Sequence, residues 1–197
     1  MLKLLTADDV SALNRLLALR MDWLDHSGLP LSGEASSLMD LVRLPQPGMV
    51  PIGMWDGANL VAALAVQSAG PIFGWTLDEQ KEPSLVLSLA HTLPQKPKLS
   101  ATFVSGLCHY AARLPYPPTW IRCTARANAL ARHLEEDCGW IKVREIGRPY
   151  GDAYHLLQRP PQLAELATRF TVLAEGLDAL IGRVSPAAST PDEEDHG

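Results

Sequence analysis

Apolar runs of strand length alternate with helical stretches through the second half of the chain, and this alternation constrains the fold most. The run Ser84–His91 is followed by helical spacing over Leu99–Leu114, the run Trp120–Thr124, a second helical stretch over Ala127–Asp137 and the run Trp140–Ile146. Two strands joined by a crossover helix normally pair in parallel. The sequence therefore predicts an α/β protein with parallel pairing in this half.

The remaining strands are predicted to be antiparallel, which makes the sheet mixed. Asp56-Gly57 separates two apolar runs and is typical of a tight hairpin turn. The runs Trp140–Ile146 and Asp152–Gln158 form a second pair. The other predicted elements are a strand at Leu2–Leu5, helices at Val10–Leu24 and Glu34–Arg43, and hairpin strands at Met49–Trp55 and Leu60–Val66. The element order is β-α-α-β-β-β-α-β-α-β-β.

The chain divides into three predicted segments. Residues 1–159 form one α/β domain, and residues 160–184 form an amphipathic helix whose apolar side chains, from Leu163 to Val184, recur three and four apart. This helix either packs on its own domain or contributes to a homodimer. Residues 185–197 are rich in proline and serine and end in acidic residues, a composition typical of disorder.

Composition excludes several classes of protein. The 197 residues carry a net charge of -5, so the whole chain lacks the basic excess of a general nucleic-acid binder. Three cysteines in no CxxC pair argue against a disulfide framework or a zinc site. The six histidines lack metal-ligand spacing, and no metal site is predicted. Without a signal peptide or a long apolar span, we expect a cytoplasmic protein with no membrane association.

The motifs of common nucleophilic, zinc and nucleotide sites are absent from the sequence, namely GxSxG, HExxH, GxxxxGK[ST] and GxGxxG. One short constellation stands out instead. Asn128 opens the helix after the fifth predicted strand, and the pair Gly139-Trp140 follows eleven residues later. This spacing, together with the element order over residues 2–158, resembles the GNAT acyltransferase superfamily. The end of the first helix, Arg20–Gly28, also looks like small bacterial members.

The resemblance implies an amide-forming acyltransferase that acts on a small-molecule amine. Its co-substrate is an acyl-CoA, whose pantetheine arm lies between the fourth and fifth strands, and no tightly bound cofactor is implied. The family's phosphate loop, Q/R-x-x-G-x-G/A, corresponds to Gln95–Ser100, where Lys98 replaces the first glycine and Pro97 removes an N–H donor. The implied donor-binding residues are Leu89, Gln95, Lys96, Lys98, Leu99, Ser100 and Asn128.

Catalytic roles follow from the same resemblance. His91 ends the fourth strand and is the expected base for the acceptor amine, because its ordinary pKa suits proton transfer near neutrality. Glu135 occupies the position where many members of the family have a tyrosine that protonates the leaving thiolate. Ser88 is expected to orient a water or the donor carbonyl. A bulge in the fourth strand would expose N–H groups to the oxyanion. The expected acceptor pocket is aromatic: Trp23, Trp55, Trp75 and Trp120.

Two alternatives remain open at the level of sequence. The altered phosphate loop is compatible with an aminoacyl-tRNA donor, which would need a basic surface from the second half of the chain: Lys96, Lys98, Arg113, Arg122, Arg126, Arg132, Lys142, Arg144 and Arg148. The same departures are compatible with a non-catalytic binding module of the same fold.

Overall fold

The structure is a computed structural model, and it describes residues 1–29, 34–68, 72–94, 96, 98–147 and 153–163. A short 3₁₀ turn at Ala7–Asp9 precedes the first helix. The strands are β1 (Leu2–Leu4), β2 (Met49–Asp56), β3 (Asn59–Gln67), β4 (Ser84–Thr92), β5 (Trp120–Ala125), β6 (Ile141–Ile146) and β7 (Tyr154–Arg159). The helices are α1 (Val10–His26), α2 (Glu34–Arg43), α3 (Leu77–Lys81), α4 (Leu99–Ala112) and α5 (Asn128–Cys138).

The seven strands form one mixed sheet in the order β1-β2-β3-β4-β5-β7-β6. The neighbours β4 and β5 are parallel, and the other neighbouring pairs are antiparallel. The predicted hairpin at Asp56-Gly57 is confirmed, and Gly57 has the positive φ that such a turn requires. The predicted mixed α/β fold is therefore confirmed. The parallel pairing predicted for the second half is limited to β4 and β5, because β7 lies between β5 and β6.

Helices cover both faces of the sheet, and each face has its own apolar core. We call the face under α1 and α2 the front face; its core includes Leu13, Leu16, Leu38 and Leu41, none more than 1% exposed. The opposite, rear face lies under α4 and α5, where Phe103, Leu107, Ala131 and Leu134 pack against strand residues such as Ile121 and Leu157. Strand β4 contacts both cores, since Leu85 and Leu87 belong to the rear core and Leu89 packs against the front core.

The connection between β3 and β4, where the sequence predicts no helix or strand, contains the short helix α3. Its start is a capping box in which the Glu79 carboxylate accepts hydrogen bonds from the Thr76 N–H (2.7 Å) and hydroxyl (2.9 Å). Gly74 has a φ of 84°, and a Cβ there would lie 2.7 Å from the Ile146 side chain and 2.9 Å from the Leu156 side chain, so both would have to shift for any other residue. The connection thus lies against the front face of β6 and β7.

The predicted helix over 160–184 and tail over 185–197 fall, beyond residue 163, outside the described residues. No helix of the described residues is both long and apolar enough to cross a bilayer.

Candidate active site

The two parallel strands separate half-way along their length, which opens a gap in the middle of the sheet. The pairing of β4 with β5 begins at Ser84 and Trp120 and ends at Leu87 and Cys123. Beyond that pair, β4 runs on to Thr92 and β5 ends at Ala125. The carboxyl ends of these strands therefore leave backbone groups available to a ligand that enters between them.

A β-bulge in β4 lies directly beside this gap. Ala65 pairs with Ser88 and Ala63 pairs with His91, so β4 holds one residue more than β3 over the same stretch. Leu89, inside the bulge, has a φ of 52°, a conformation that non-glycine residues rarely adopt. Bulges leave a residue outside the ladder and change the direction of neighbouring side chains. The bulge anticipated for an oxyanion site is thus present at the expected strand.

His91 and Ser88 both lie on the front face at the bulge. Register partners share a face, and their partners Ala63 and Ala65 belong to the front core. His91 is 5% exposed. The Ser88 hydroxyl is buried and has no hydrogen-bond partner among the described residues. The structure therefore brings two of the predicted catalytic residues together on one side of the gap.

Lys98, which replaces a glycine of the family's phosphate loop, adopts a glycine-like conformation. Its φ is 66° and its ψ is 5°, and it directly precedes α4. The Thr102 N–H donates to the Lys98 carbonyl at 2.9 Å, so the N–H groups of Leu99–Ala101 belong to the donor-rich start of the helix. Lys98 thus keeps a backbone conformation that favours glycine, although its side chain is a lysine. Gln95 and Pro97 lie outside the described residues.

Lys96 reaches the hairpin between β2 and β3. Its Nζ lies 2.6 Å from the Asp56 Oδ2 in an exposed ion pair. The hydrogen bond and the charge of Lys96 lower the pKa of Asp56. In the described structure, the charge of Lys96 is therefore partly neutralised before any donor binds.

Ser100 lies at the second position of α4 and is linked to α5 by a chain of hydrogen bonds that the sequence does not predict. Its Oγ is 2.9 Å from His133 Nε2, and His133 Nδ1 is 2.6 Å from Asp137 Oδ2. The His133–Asp137 pair has the i,i+4 spacing of a helix surface. This chain fixes the start of α4 against α5.

Asn128, the first residue of α5, has a buried partner on β7. The His155 Nε2 lies 2.7 Å from the Asn128 Oδ1, and His155 is 3% exposed. Glu135 lies two turns further along α5, is half-buried, and makes no hydrogen bond or ion pair with the described residues. The side chain of Asn128 is thus held by a histidine of the neighbouring strand.

The four predicted pocket tryptophans are not brought together. Trp120 pairs with Ser84 at the closed end of the β4–β5 pair, and Trp55 lies on β2 with Lys3 over its ring. Trp75 is buried, with the Arg122 guanidinium 4.4 Å from its ring centroid. Trp23, near the end of α1, is 37% exposed under Arg20.

A different aromatic pair lies at the open end of β5, and sequence reasoning missed it. The rings of Phe73 and Tyr154 meet edge to face at 5.0 Å, and the Arg126 guanidinium lies 5.9 Å from the Tyr154 ring centroid. Tyr154 opens β7, and Arg126 directly follows β5. The position of both at the open end of neighbouring strands was the sequence signal that could have indicated them.

Arg122 does not belong to the basic surface that the sequence predicts. Its side chain is fully buried, donates to the Glu79 carbonyl and forms an ion pair with Glu82. Arg144 is likewise paired with Glu79. These arginines fasten the β3–β4 connection to the front face, so Arg122 contributes nothing to a surface for tRNA. Arg148 lies outside the described residues.

Solved structures show where this architecture recurs. A GNAT-family acetyltransferase from Streptococcus agalactiae matches 82% of this chain and 95% of its own length, with a TM-score of 0.60 and 14% identity. The ribosomal-protein-S18-alanine N-acetyltransferase of Escherichia coli matches 83% and 95%, with a TM-score of 0.55 and 15% identity. The chain has the GNAT acyltransferase fold. No family model and no curated protein matches the chain.

A further solved structure shares the fold. A spermidine N-acetyltransferase variant from Vibrio cholerae has the same fold, with a TM-score of 0.56 and 15% identity over 82% of this chain and 93% of its own. In the present GNAT fold, a buried imidazole and a buried hydroxyl lie on the front side of the gap, and the start of α4 follows the same strand. An imidazole, a hydroxyl and the N–H groups at the start of α4 therefore lie near one opening.

Proposed function

We propose that the protein transfers an acyl group from an acyl-CoA to an amine of a small molecule and forms an amide. The observation that carries this proposal is the separation of β4 and β5 beside a bulged β4 that holds His91 and Ser88 on one face. Solved structures of this fold include enzymes named for spermidine, for an aminoglycoside and for the alanine of a ribosomal protein, and all three acceptors carry amines.

In the proposed mechanism, the acceptor approaches from the front face and the thioester enters the gap. The amine nitrogen attacks the thioester carbonyl carbon, and N–H groups released by the bulge stabilise the oxyanion. His91 takes the proton that the nitrogen loses, directly or through a water bound to the Ser88 hydroxyl. The C–S bond then breaks, and the thiolate leaves as CoA after it takes up a proton.

Protonation of the leaving thiolate is assigned to Glu135. This residue stands on α5 where the family has a tyrosine, and it is half-buried. A carboxyl group can donate a proton in one cycle and regain it from the solvent before the next. The role requires that Glu135 reaches the sulfur of the bound donor and is protonated when the thiolate leaves.

The identity of the donor is tested by measuring which ligand stabilises the folded protein. A ligand that binds only the folded state raises its thermal stability, so CoA, acetyl-CoA and bulk tRNA are compared in parallel thermal unfolding series. We expect stabilisation by CoA and acetyl-CoA. Stabilisation by tRNA alone would favour the aminoacyl-tRNA donor, and stabilisation by none of the three would favour a binding module.

The salt dependence of donor binding gives a second test of the donor that does not rely on the unfolding assay. Neutralising several polynucleotide phosphates gives a steep fall of log K with log salt, about 0.7–0.9 per contact. A single CoA gives a shallow slope. Acyl transfer to a panel of primary amines, followed as release of CoA, then tests the reaction itself.

A further inference from the structure

The side chain of Asn128 is held by a histidine that neither the sequence motifs nor the proposed reaction accounts for. His155 pairs with Ala125 on β5, and Ala125 belongs to the rear core, so the imidazole lies on the rear face beneath the start of α5. Its Nε2 lies 2.7 Å from the Asn128 Oδ1. A buried histidine therefore contacts an exposed residue at the carboxyl end of β5, where the gap opens.

The contact relates the direction of the amide to the tautomer of the imidazole. With the Asn128 Oδ1 facing the ring, the contact requires a proton on His155 Nε2, because an amide oxygen only accepts hydrogen bonds. The Asn128 NH₂ group then points away from His155. The carboxylate of Glu145 on β6 lies 3.4 Å from the other ring nitrogen, Nδ1. The imidazole thus lies between an acidic side chain and the amide, and its Nδ1 makes no hydrogen bond with the described residues.

We infer that His155 is a positioning residue that presents the Asn128 NH₂ group as a hydrogen-bond donor to a carbonyl of the donor's pantetheine arm. The inference rests on the proposed function, because it requires an acyl-CoA in the gap. Pantetheine carries two amide carbonyls, and each needs a donor once it leaves water. Without His155 the amide rotates freely, so the bound state must first order it.

A double-mutant cycle tests the inference on the full chain. We expect His155→Ala to raise the KM and Kd for acetyl-CoA about 5–10-fold, which is the effect of one net hydrogen bond, with kcat at saturating donor changed less than about 2-fold. Asn128→Ala gives a similar increase. The double variant is no weaker than Asn128→Ala alone, because His155 acts only through that side chain.

Two further variants separate positioning from a general effect on folding. His155→Gln keeps an N–H donor and restores most of the donor affinity. His109→Ala, in the last turn of α4 at the end away from the phosphate loop, removes another imidazole and leaves the KM for acetyl-CoA unchanged. Nitrogen-15 NMR of the wild-type imidazole reports the tautomer directly, and we expect the proton on Nε2.

Each outcome is decisive. Full additivity in the double variant, unchanged donor affinity in His155→Ala, or a proton on Nδ1 alone overturns the positioning role while the acyltransferase proposal stands. A wild-type protein that binds no acyl-CoA overturns both. If His155→Ala does not fold, the tautomer and His155→Gln decide the matter.

Discussion

The residue that most directly tests the proposed chemistry is His91, because it is buried at the bulge and no other histidine is placed on the front face of β4. We expect His91→Ala to lower kcat/KM for the amine about 10²-fold or more, the usual contribution of general base catalysis, with the fold intact. Circular dichroism checks the fold and a coupled thiol assay measures the rate.

Ser88→Ala serves as the matched variant on the same strand. It removes a buried hydroxyl that has no hydrogen-bond partner among the described residues, so its cost in stability is small. We expect a smaller loss of rate than for His91→Ala. Equal activity of His91→Ala and the wild type would remove the imidazole from the mechanism.

Lys98 yields a second prediction at this scale, about stability. A non-glycine residue at a φ of 66° is strained by its Cβ, and both Lys98→Gly and Lys98→Ala remove the charge. Only the glycine variant removes the strain. We expect Lys98→Gly to be more stable than Lys98→Ala by about 0.5–1 kcal/mol in urea unfolding. Equal stability of the two variants would mean that the backbone at residue 98 relaxes.

Residue types indicated where candidate residues lie in the fold, but they did not indicate the backbone conformations around them. A histidine at the end of an apolar strand indicated His91, and the asparagine before a helical run indicated Asn128. The bulge was only a conditional expectation, because one extra residue in a strand leaves no mark on an apolar pattern. The Ser100–His133 and Asn128–His155 contacts join residues 33 and 27 positions apart, and no local pattern encodes them.

At the scale of elements, α3 and its connection illustrate a missed signal. Thr76 and Glu79 have the spacing of a capping box, but five helical residues are too few to show a periodic apolar face. The longer helices and the strands were predicted within a few residues, because each buries one apolar face. Tertiary contacts of two arginines, rather than local propensity, hold α3 in place.

The pH dependence of stability tests that attachment. Partial burial opposes ionisation of Glu79, but hydrogen bonds from the Thr76 N–H and hydroxyl, with the charges of Arg144 and Arg122, lower its pKa below the ordinary 4.5. A carboxyl group whose pKa is lower in the folded protein than in the unfolded protein stabilises the fold at pH values above its pKa in the unfolded protein. This stabilisation is lost as the pH falls through its pKa in the folded protein.

We therefore expect Glu79→Gln to lower the free energy of unfolding by about 0.5–1 kcal/mol at pH 7, as for a solvent-screened ion pair. The difference from the wild type should shrink below about pH 4.5 as the wild-type carboxylate is protonated. Denaturant unfolding at pH 7, 5 and 3.5 measures it. A difference independent of pH would show that the charge of Glu79 does not stabilise the connection.

At the scale of the whole molecule, two cores on opposite faces allow the sheet to open without exposing either one. β4 contributes Leu85 and Leu87 to the rear core and Leu89 packs against the front core, so the strand changes its apolar side at the bulge. Side chains thus remain packed on the faces of the sheet even where β4 and β5 are no longer joined by backbone hydrogen bonds. Because helices pack on both faces, the gap between β4 and β5 keeps a fixed position in the sheet.

The cysteines report on the rear core as a unit. Burial raises the pKa of Cys108 to about 11 and also raises those of Cys123 and Cys138. Alkylation requires the thiolate, so at pH 7.5 all three thiols should react with iodoacetamide far more slowly in the native protein than in urea. Mass spectrometry over time should find mostly unlabelled chain under native conditions and three labels after unfolding. Rapid native labelling of any one thiol would show that the rear core opens locally, and the site labelled would identify whether α4, α5 or β5 moves.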